Sequence, residues 1–123
     1  MRKILIIDDD EQMRNLLCQA MEYAGFEVQG AQNGREGQRF FNEQPFDLVI
    51  TDLIMPEQEG METITFLRKK HPEVKIIAIS GGGRIGPETY LPAALELGAN
   101  RAFAKPFALD ELTSAVKELL GMQ

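Results

Sequence analysis

The chain is poor in the residues that staple or span. It has one cysteine and no tryptophan in 123 residues. Cys18 has no partner within the sequence, which excludes an internal disulfide framework, and no second cysteine or neighbouring histidine points to metal or nucleophilic chemistry there. No apolar run approaches the ~20 residues of a membrane span. Met1-Arg2-Lys3 is followed by only a short apolar run, too short for a secretory signal, so a cytoplasmic location without membrane contact is expected. Basic residues are in deficit: 13 Lys and Arg against 19 Asp and Glu give a net charge of -6. That balance disfavours direct binding to nucleic acid, so any effect on DNA would need a partner. No linker, repeat or low-complexity tract interrupts residues 1–123, and one domain is expected over that span. At this length folding hides roughly two-thirds of the unfolded surface, enough for a core without staples.

What is present is an alternation. Ile4-Leu5-Ile6-Ile7 is a continuous apolar run that stops at Asp8-Asp9-Asp10, the pattern of a strand buried on both faces. From Glu11 to Ala24 the period changes: Met13, Leu16, Leu17, Ala20 and Ala24 form one helical stripe, Cys18 falls off it, and Gly25 supplies the stop. The pattern then predicts strands at Phe26 to Ala31, Phe46 to Thr51, Val74 to Ile79 and Arg101 to Ala104. It predicts helices at Arg35 to Asn42, Gly60 to Lys70, Pro87 to Leu97 and Leu109 to Leu120. Strict βα alternation implies an α/β fold: an open, doubly wound parallel sheet of five strands with helices on both faces, because right-handed crossovers allow little else.

In such sheets ligands bind outside the carboxyl ends of the strands, so the residues just after each strand are the candidates. The first strand delivers Asp8 and Asp9, the third Asp52, the fourth Ser80, and the fifth Lys105 followed by Pro106-Phe107. Three carboxylates on one rim repel by about 1 kcal/mol per pair at 4 Å in water, and by several-fold more at a protein's lower effective dielectric. A hard divalent cation answers that repulsion, and Mg2+ is the natural choice because it takes one or two carboxylates, keeps waters and uses phosphate oxygens. Lys105 would be a second, fixed cation. Asp52 is ionised at neutral pH and could attack phosphorus without a general base, while Ser80 donates a hydrogen bond. Each feature alone has a plainer explanation. An acidic triplet after a strand is often a helix cap, which is how Asp10 reads, and Lys-Pro-Phe alone could be loop punctuation. Their coincidence at successive strand ends is what points to a site.

Together these segments resemble the receiver domain of two-component response regulators, from Ile4 to Leu120. The matching motifs are Ile-Leu-Ile-Ile-Asp8-Asp9, Leu-Val-Ile-Thr-Asp52-Leu-Ile-Met-Pro56 with Gly60 eight residues after the aspartate, Ile-Ala-Ile-Ser80-Gly81, Leu-Gly98-Ala99 and Ala-Lys105-Pro106-Phe107. The resemblance implies the flavodoxin-like strand order 2-1-3-4-5, an order that general rules for doubly wound sheets already illustrate with a chemotaxis receiver. It implies that Asp52 takes phosphate from a phosphohistidine on a sensor histidine kinase or phosphotransfer protein. It also implies that Asp9, Asp52 and the backbone carbonyl of Ile54 ligate Mg2+, with Asp8 acting through a metal-bound water. Ser80 and Lys105 would bind the phosphoryl group, Pro56, Gly60, Gly81 and Pro106 would shape the site, and the Lys105-Pro106 bond would be cis. The expected output is a change in the face of the fourth helix, fifth strand and fifth helix, read by a downstream protein. The implied role is signalling rather than enzymatic turnover.

The sequence departs from that pattern in places. Receivers often carry Tyr or Phe three residues before the lysine, where this chain has Ala102. Phe103 cannot replace it, because successive strand residues point to opposite faces. Ile54 and Gly82 stand where some relatives carry polar groups that orient water, so slow intrinsic dephosphorylation is expected; a phospholifetime of seconds would contradict this. The stretch Gly81-Gly82-Gly83-Arg84-Ile85-Gly86 predicts a mobile loop before Pro87 and also satisfies a dinucleotide fingerprint, but the acidic residue that fingerprint wants about 20 positions on is absent. His71 reads as a solvated helix end, and Met55, Met61 and Tyr90 as packing or partner-facing residues. Two rival functions are a haloacid-dehalogenase-like phosphohydrolase with Asp8 as nucleophile, and an interaction module that is never phosphorylated. The first leaves Asp52 without purpose, and the second leaves the whole acidic set unexplained.

Overall fold

The structure is a computed structural model that describes residues 2–53, 59–80 and 87–122, and for 59 and 87–91 the backbone alone. The chain alternates strictly: β1 (Lys3–Ile7), α1 (Glu11–Tyr23), β2 (Glu27–Ala31), α2 (Gly34–Glu43), β3 (Leu48–Asp52), α3 (Glu59–Lys70), β4 (Lys75–Ser80), α4 (Pro87–Leu97), β5 (Arg101–Ala104) and α5 (Leu109–Leu119). The strands form one parallel sheet in the order β2-β1-β3-β4-β5, as the resemblance implied. The order reverses between β1 and β3, whose registers pair Ile7 with Thr51 and so bring the residues that follow β1 beside the end of β3.

The period-2 alternation of the central strands divides the core in two. Leu5, Ile7, Val49, Ile76 and Ala78 face Phe41 of α2, Ile64 and Leu67 of α3 and Ala94 of α4. Ile4, Ile6, Leu48, Ile50, Ile77 and Ile79 face Leu17 and Met21 of α1 and Leu112, Ala115 and Val116 of α5. Each of these larger side chains contributes about 1.5–3 kcal/mol on burial, which is why β1, β3 and β4 are apolar through their middles, with polar residues confined to Lys3 and Lys75 at the starts and Thr51, Asp52 and Ser80 at the ends. Helix α1 is fixed at its start by Asp10, whose carboxylate accepts the N–H groups of Gln12 and Met13.

Three expectations need correction. Leu16 is not on the buried stripe of α1; it is 45% exposed, and the buried positions are Leu17 and Met21, one turn apart along the helix. Cys18 is not off the packed face: it is half-buried against the α1/α5 side of the core, and burial pushes its thiol pKa up. His71 is half-buried rather than solvated, its ring stacked on Phe41 with centroids 4.1 Å apart. The stretch 81–86 lies outside the described residues, as do Ile54, Met55 and Pro56.

The amino edge of the sheet is closed by Arg68 of α3. Its Nη1 donates to the carbonyls of Pro72 at 2.9 Å and Val74 at 2.7 Å, and its Nε and Nη2 donate to Gly98 O at 3.1 and 2.9 Å. Nη2 also reaches Asn100 Oδ1, which accepts the N–H of Ile76 and so ties the α4–β5 turn to β4. Gly98 has φ +123°, and a Cβ there would lie 2.8 Å from the Arg68 stem, so glycine is required twice over.

Candidate phosphoacceptor and cation site

The opposite edge gathers the candidates. Asp8 follows β1 and continues its ladder, its N–H donating to Ala31 O of β2 at 3.0 Å. Its side chain is 1% exposed, with one oxygen accepting the N–H of Asp10 at 2.9 Å. Asp52 is the last residue of β3 and 5% exposed; Ser80 is the last of β4 and fully buried. Asp9 is exposed at the mouth. Lys105 follows β5, tied by its N–H to Ser80 O at 2.9 Å, and the bond to Pro106 is cis, as the resemblance implied.

The side chains converge. Carboxylate oxygens of Asp8, Asp9 and Asp52 all lie within 4.8 Å of one another. Lys105 Nζ stands 3.6 Å from Asp8 Oδ2 and 3.6 Å from Asp52 Oδ2, midway between two buried acids. One ammonium against three carboxylates leaves the cluster negative. Burial drives the Asp8 carboxyl pKa upward; the Asp10 N–H and Lys105 pull it down, and the Asp9 charge adds to the rise. Among the described residues, the buried polar atoms Asp8 Oδ2 and Ser80 Oγ have no hydrogen-bond partner. Buried polar groups are nearly always satisfied, so orphans at this one rim are places kept for a ligand.

The donor set fits Mg2+: hard carboxylate oxygens, clustered, partly buried and short of positive charge. Charge, not cavity size, marks the site. A hollow of about 820 Å³ between α1 and α5 shares no residue with it.

Gly60 shows how closely the rim is built. A Cβ at that position would lie 2.3 Å from the Asp52 carbonyl oxygen and 2.7 Å from Leu53 Cα, so the start of α3 can press on the end of β3 only because no side chain intervenes. Ala102 packs on the α3/α4 side of the sheet and Phe103 on the α1/α5 side, its ring 5.9 Å from that of Phe107. The alternation expected for the two residues holds, and no aromatic ring stands at 102.

Sequence reasoning missed Arg14. Its Nη1 donates to the backbone carbonyl of Asp8 at 2.8 Å. The partner is a main-chain atom, which leaves no motif. The available signal was a basic residue about one turn into the helix that follows the acidic pair.

Residues 4–117 match the model of the response regulator receiver domain. The response regulator receiver protein CpdR of Brucella abortus is 32% identical over 122 residues, covering 98% of each chain. The transcriptional regulatory protein SrrA of Staphylococcus aureus is 35% identical over 118 residues, 96% of this chain but 47% of SrrA, so the sequence spans about half of such longer relatives. Among solved structures, the response regulator protein TrrA of Thermotoga maritima, in complex with Mg2+ and BeF, aligns with a TM-score of 0.84 at 33% identity, over 97% of this chain and 99% of TrrA.

Proposed function

The chain belongs to the response regulator receiver domain family, and from that premise we propose that residues 1–123 form one receiver unit whose phosphoacceptor is Asp52. Receivers of this family interact with histidine kinases or phosphotransfer proteins and act as signalling domains rather than as ordinary enzymes. The observation that carries the assignment is the meeting of Asp52 with Asp8, Asp9 and Lys105 at one rim, beside a buried Ser80 hydroxyl that has no hydrogen-bond partner among the described residues.

Receiver domains generally bind Mg2+ at such an acidic cluster. Here Asp8, Asp9 and Asp52 would hold it, with the Ile54 carbonyl as the further ligand the resemblance implies. When bound, the ion supplies positive charge that lets carboxylate and phosphoryl oxygens approach. The chain's own residues do the rest. An ionised Asp52 oxygen bonds to phosphorus as the bond from phosphorus to the donor imidazole nitrogen breaks, and the imidazole leaves with the bonding pair. No proton need leave Asp52, so no general base is required. Lys105 neutralises charge on the transferring oxygens, and Ser80 Oγ donates to one of them.

The donor is the phosphohistidine of a sensor kinase or phosphotransfer protein, and the output is a change at the α4/β5/α5 face read by a downstream protein. With Ala102 on β5, that change passes without an aromatic ring at this position. We place the domain in the cytoplasm, acting through proteins and not on nucleic acid or membrane. No helix among the described residues is long and apolar enough to cross a membrane, and the net charge is -6.

The test is to incubate the chain with acetyl phosphate and Mg2+, digest it, and locate the modified residue by mass spectrometry. Modification at Asp52 is the expected result. Modification at Asp8 would favour a hydrolase nucleophile, and none with either acetyl phosphate or a phosphohistidine donor would favour a module that is never phosphorylated.

A further inference from the structure

We infer that Arg14 is the positioning residue of the acidic rim, holding the Asp8–Asp9 peptide so that both carboxylates face one cation. The inference rests on the proposed reading that Asp8 and Asp9 help to hold Mg2+.

The peptide joining these acids is the hinge of the cluster, because its rotation swings Asp9 relative to the buried Asp8. On one side Asp8 is pinned by its N–H to Ala31 O at 3.0 Å, and on the next residue but one by the Asp10 N–H, at 2.9 Å from Asp8 Oδ1. Between these anchors the Asp8 carbonyl accepts from Arg14 Nη1 at 2.8 Å. The reach is itself guided. The Arg14 stem runs along Gly30 of β2, where a Cβ would stand 3.3 Å from Arg14 Cδ and 3.3 Å from Cys18 Sγ, so the half-buried side chain lies in a channel that a larger residue would crowd.

Electrostatics alone argues against a guanidinium in this place. A fixed cation bonded to the loop that carries two metal-ligating acids repels a dication. Its value to the site is therefore geometric: it orients the ligands, as outer-shell hydrogen bonds do in metal centres generally. The two roles predict opposite signs. If Arg14 acts only through its charge, removing it tightens Mg2+ binding; if it positions the acids, removing it weakens binding.

Mg2+ affinity of the folded chain, measured by calorimetric titration, separates them, with far-UV circular dichroism to verify folding. Arg14→Met keeps the stem along Gly30 and should weaken Mg2+ binding roughly 10-fold, the lower end of what loss of an outer-shell contact costs. Arg14→Lys keeps the charge and one donor group and should fall between Met and the unaltered chain. Unchanged or tighter binding by Arg14→Met overturns the inference. Should the Met variant fail to fold, Arg14→Lys decides: weaker binding than the unaltered chain supports the positioning role, and equal or tighter binding overturns it. No Mg2+ binding by the unaltered chain would overturn the functional reading and this inference with it, whereas binding that ignores Arg14 overturns the inference alone.

Discussion

At the amino edge of the sheet one guanidinium is saturated with oxygen; at the carboxyl edge three carboxylates crowd one ammonium. Arg68 meets the carbonyls of Pro72, Val74 and Gly98 and the side chain of Asn100, all within 3.1 Å. Asp8 Oδ2 and Ser80 Oγ, more deeply buried than Arg68, have no hydrogen-bond partner among the described residues, and Asp8 Oδ2 has only the longer ion pair to Lys105 at 3.6 Å. Both edges hold charge away from full solvent contact, the carboxyl edge more deeply, yet it is the deeper charge that has fewer partners. A complete shell locks α3, β4 and the turn before β5 together, while an incomplete shell keeps free energy in reserve for whatever completes it.

The largest effect that can test this contrast is at the closed edge. Arg68→Met strips partners from several part-buried carbonyls, each costing about 1–3 kcal/mol when orphaned. A net loss of about 3 kcal/mol is expected in chemical denaturation. Retention of full stability would break the comparison. Gly98→Ala, which needs a positive φ and displaces the Arg68 stem, should cost about 2 kcal/mol by the same measurement.

The open edge should respond in the opposite sense. Asp8→Asn relieves buried carboxylate repulsion and is expected to stabilise the metal-free chain by about 1 kcal/mol at neutral pH, while weakening Mg2+ binding. The sign follows through pH. Burial raises the folded-state pKa of Asp8 above the unfolded value, so the folded chain holds that proton more tightly and unfolding releases it. Stability of the metal-free chain from this group is therefore full at low pH and lost as pH rises through the raised pKa; melting curves of Asp8→Asn across that window should be flatter. A steeper pH dependence in the variant would contradict the assignment. Smallest is Ser80→Ala, where removing an unsatisfied buried hydroxyl should change stability by no more than about 0.5 kcal/mol, yet slow phosphoryl transfer to Asp52. A loss of several kcal/mol would mean that the hydroxyl is bonded after all.

The two edges also differ in how far the amino-acid sequence discloses them. Asp8, Asp9, Asp52, Ser80 and Lys105 were legible because parallel topology puts every strand's carboxyl end on one side, so position after an apolar run translates directly into place. The alternation of Leu5 and Ile7 against Ile4 and Ile6 was legible for the same reason. Arg68 and Arg14 were not, because their partners are carbonyls, identical at every residue, and for Arg68 the partner carbonyl of Gly98 lies 30 residues away. On α1, Leu16 and Leu17 are adjacent and equally apolar, and only the packing of the helix against the sheet decides that Leu17 and Met21 go inward. His71 was misread because Phe41, against which it stacks, comes from a different helix.

The central claim is that the carboxyl edge is held short of positive charge until a cation completes it. Melting the metal-free and Mg2+-saturated chain side by side tests it most directly, with Asp9→Asn as the companion. At a hundredfold excess over the dissociation constant the unaltered chain should gain about 2.7 kcal/mol, and Asp9→Asn, at the same Mg2+ concentration, much less. A melting curve indifferent to Mg2+, or an equal gain in both chains, would contradict the account.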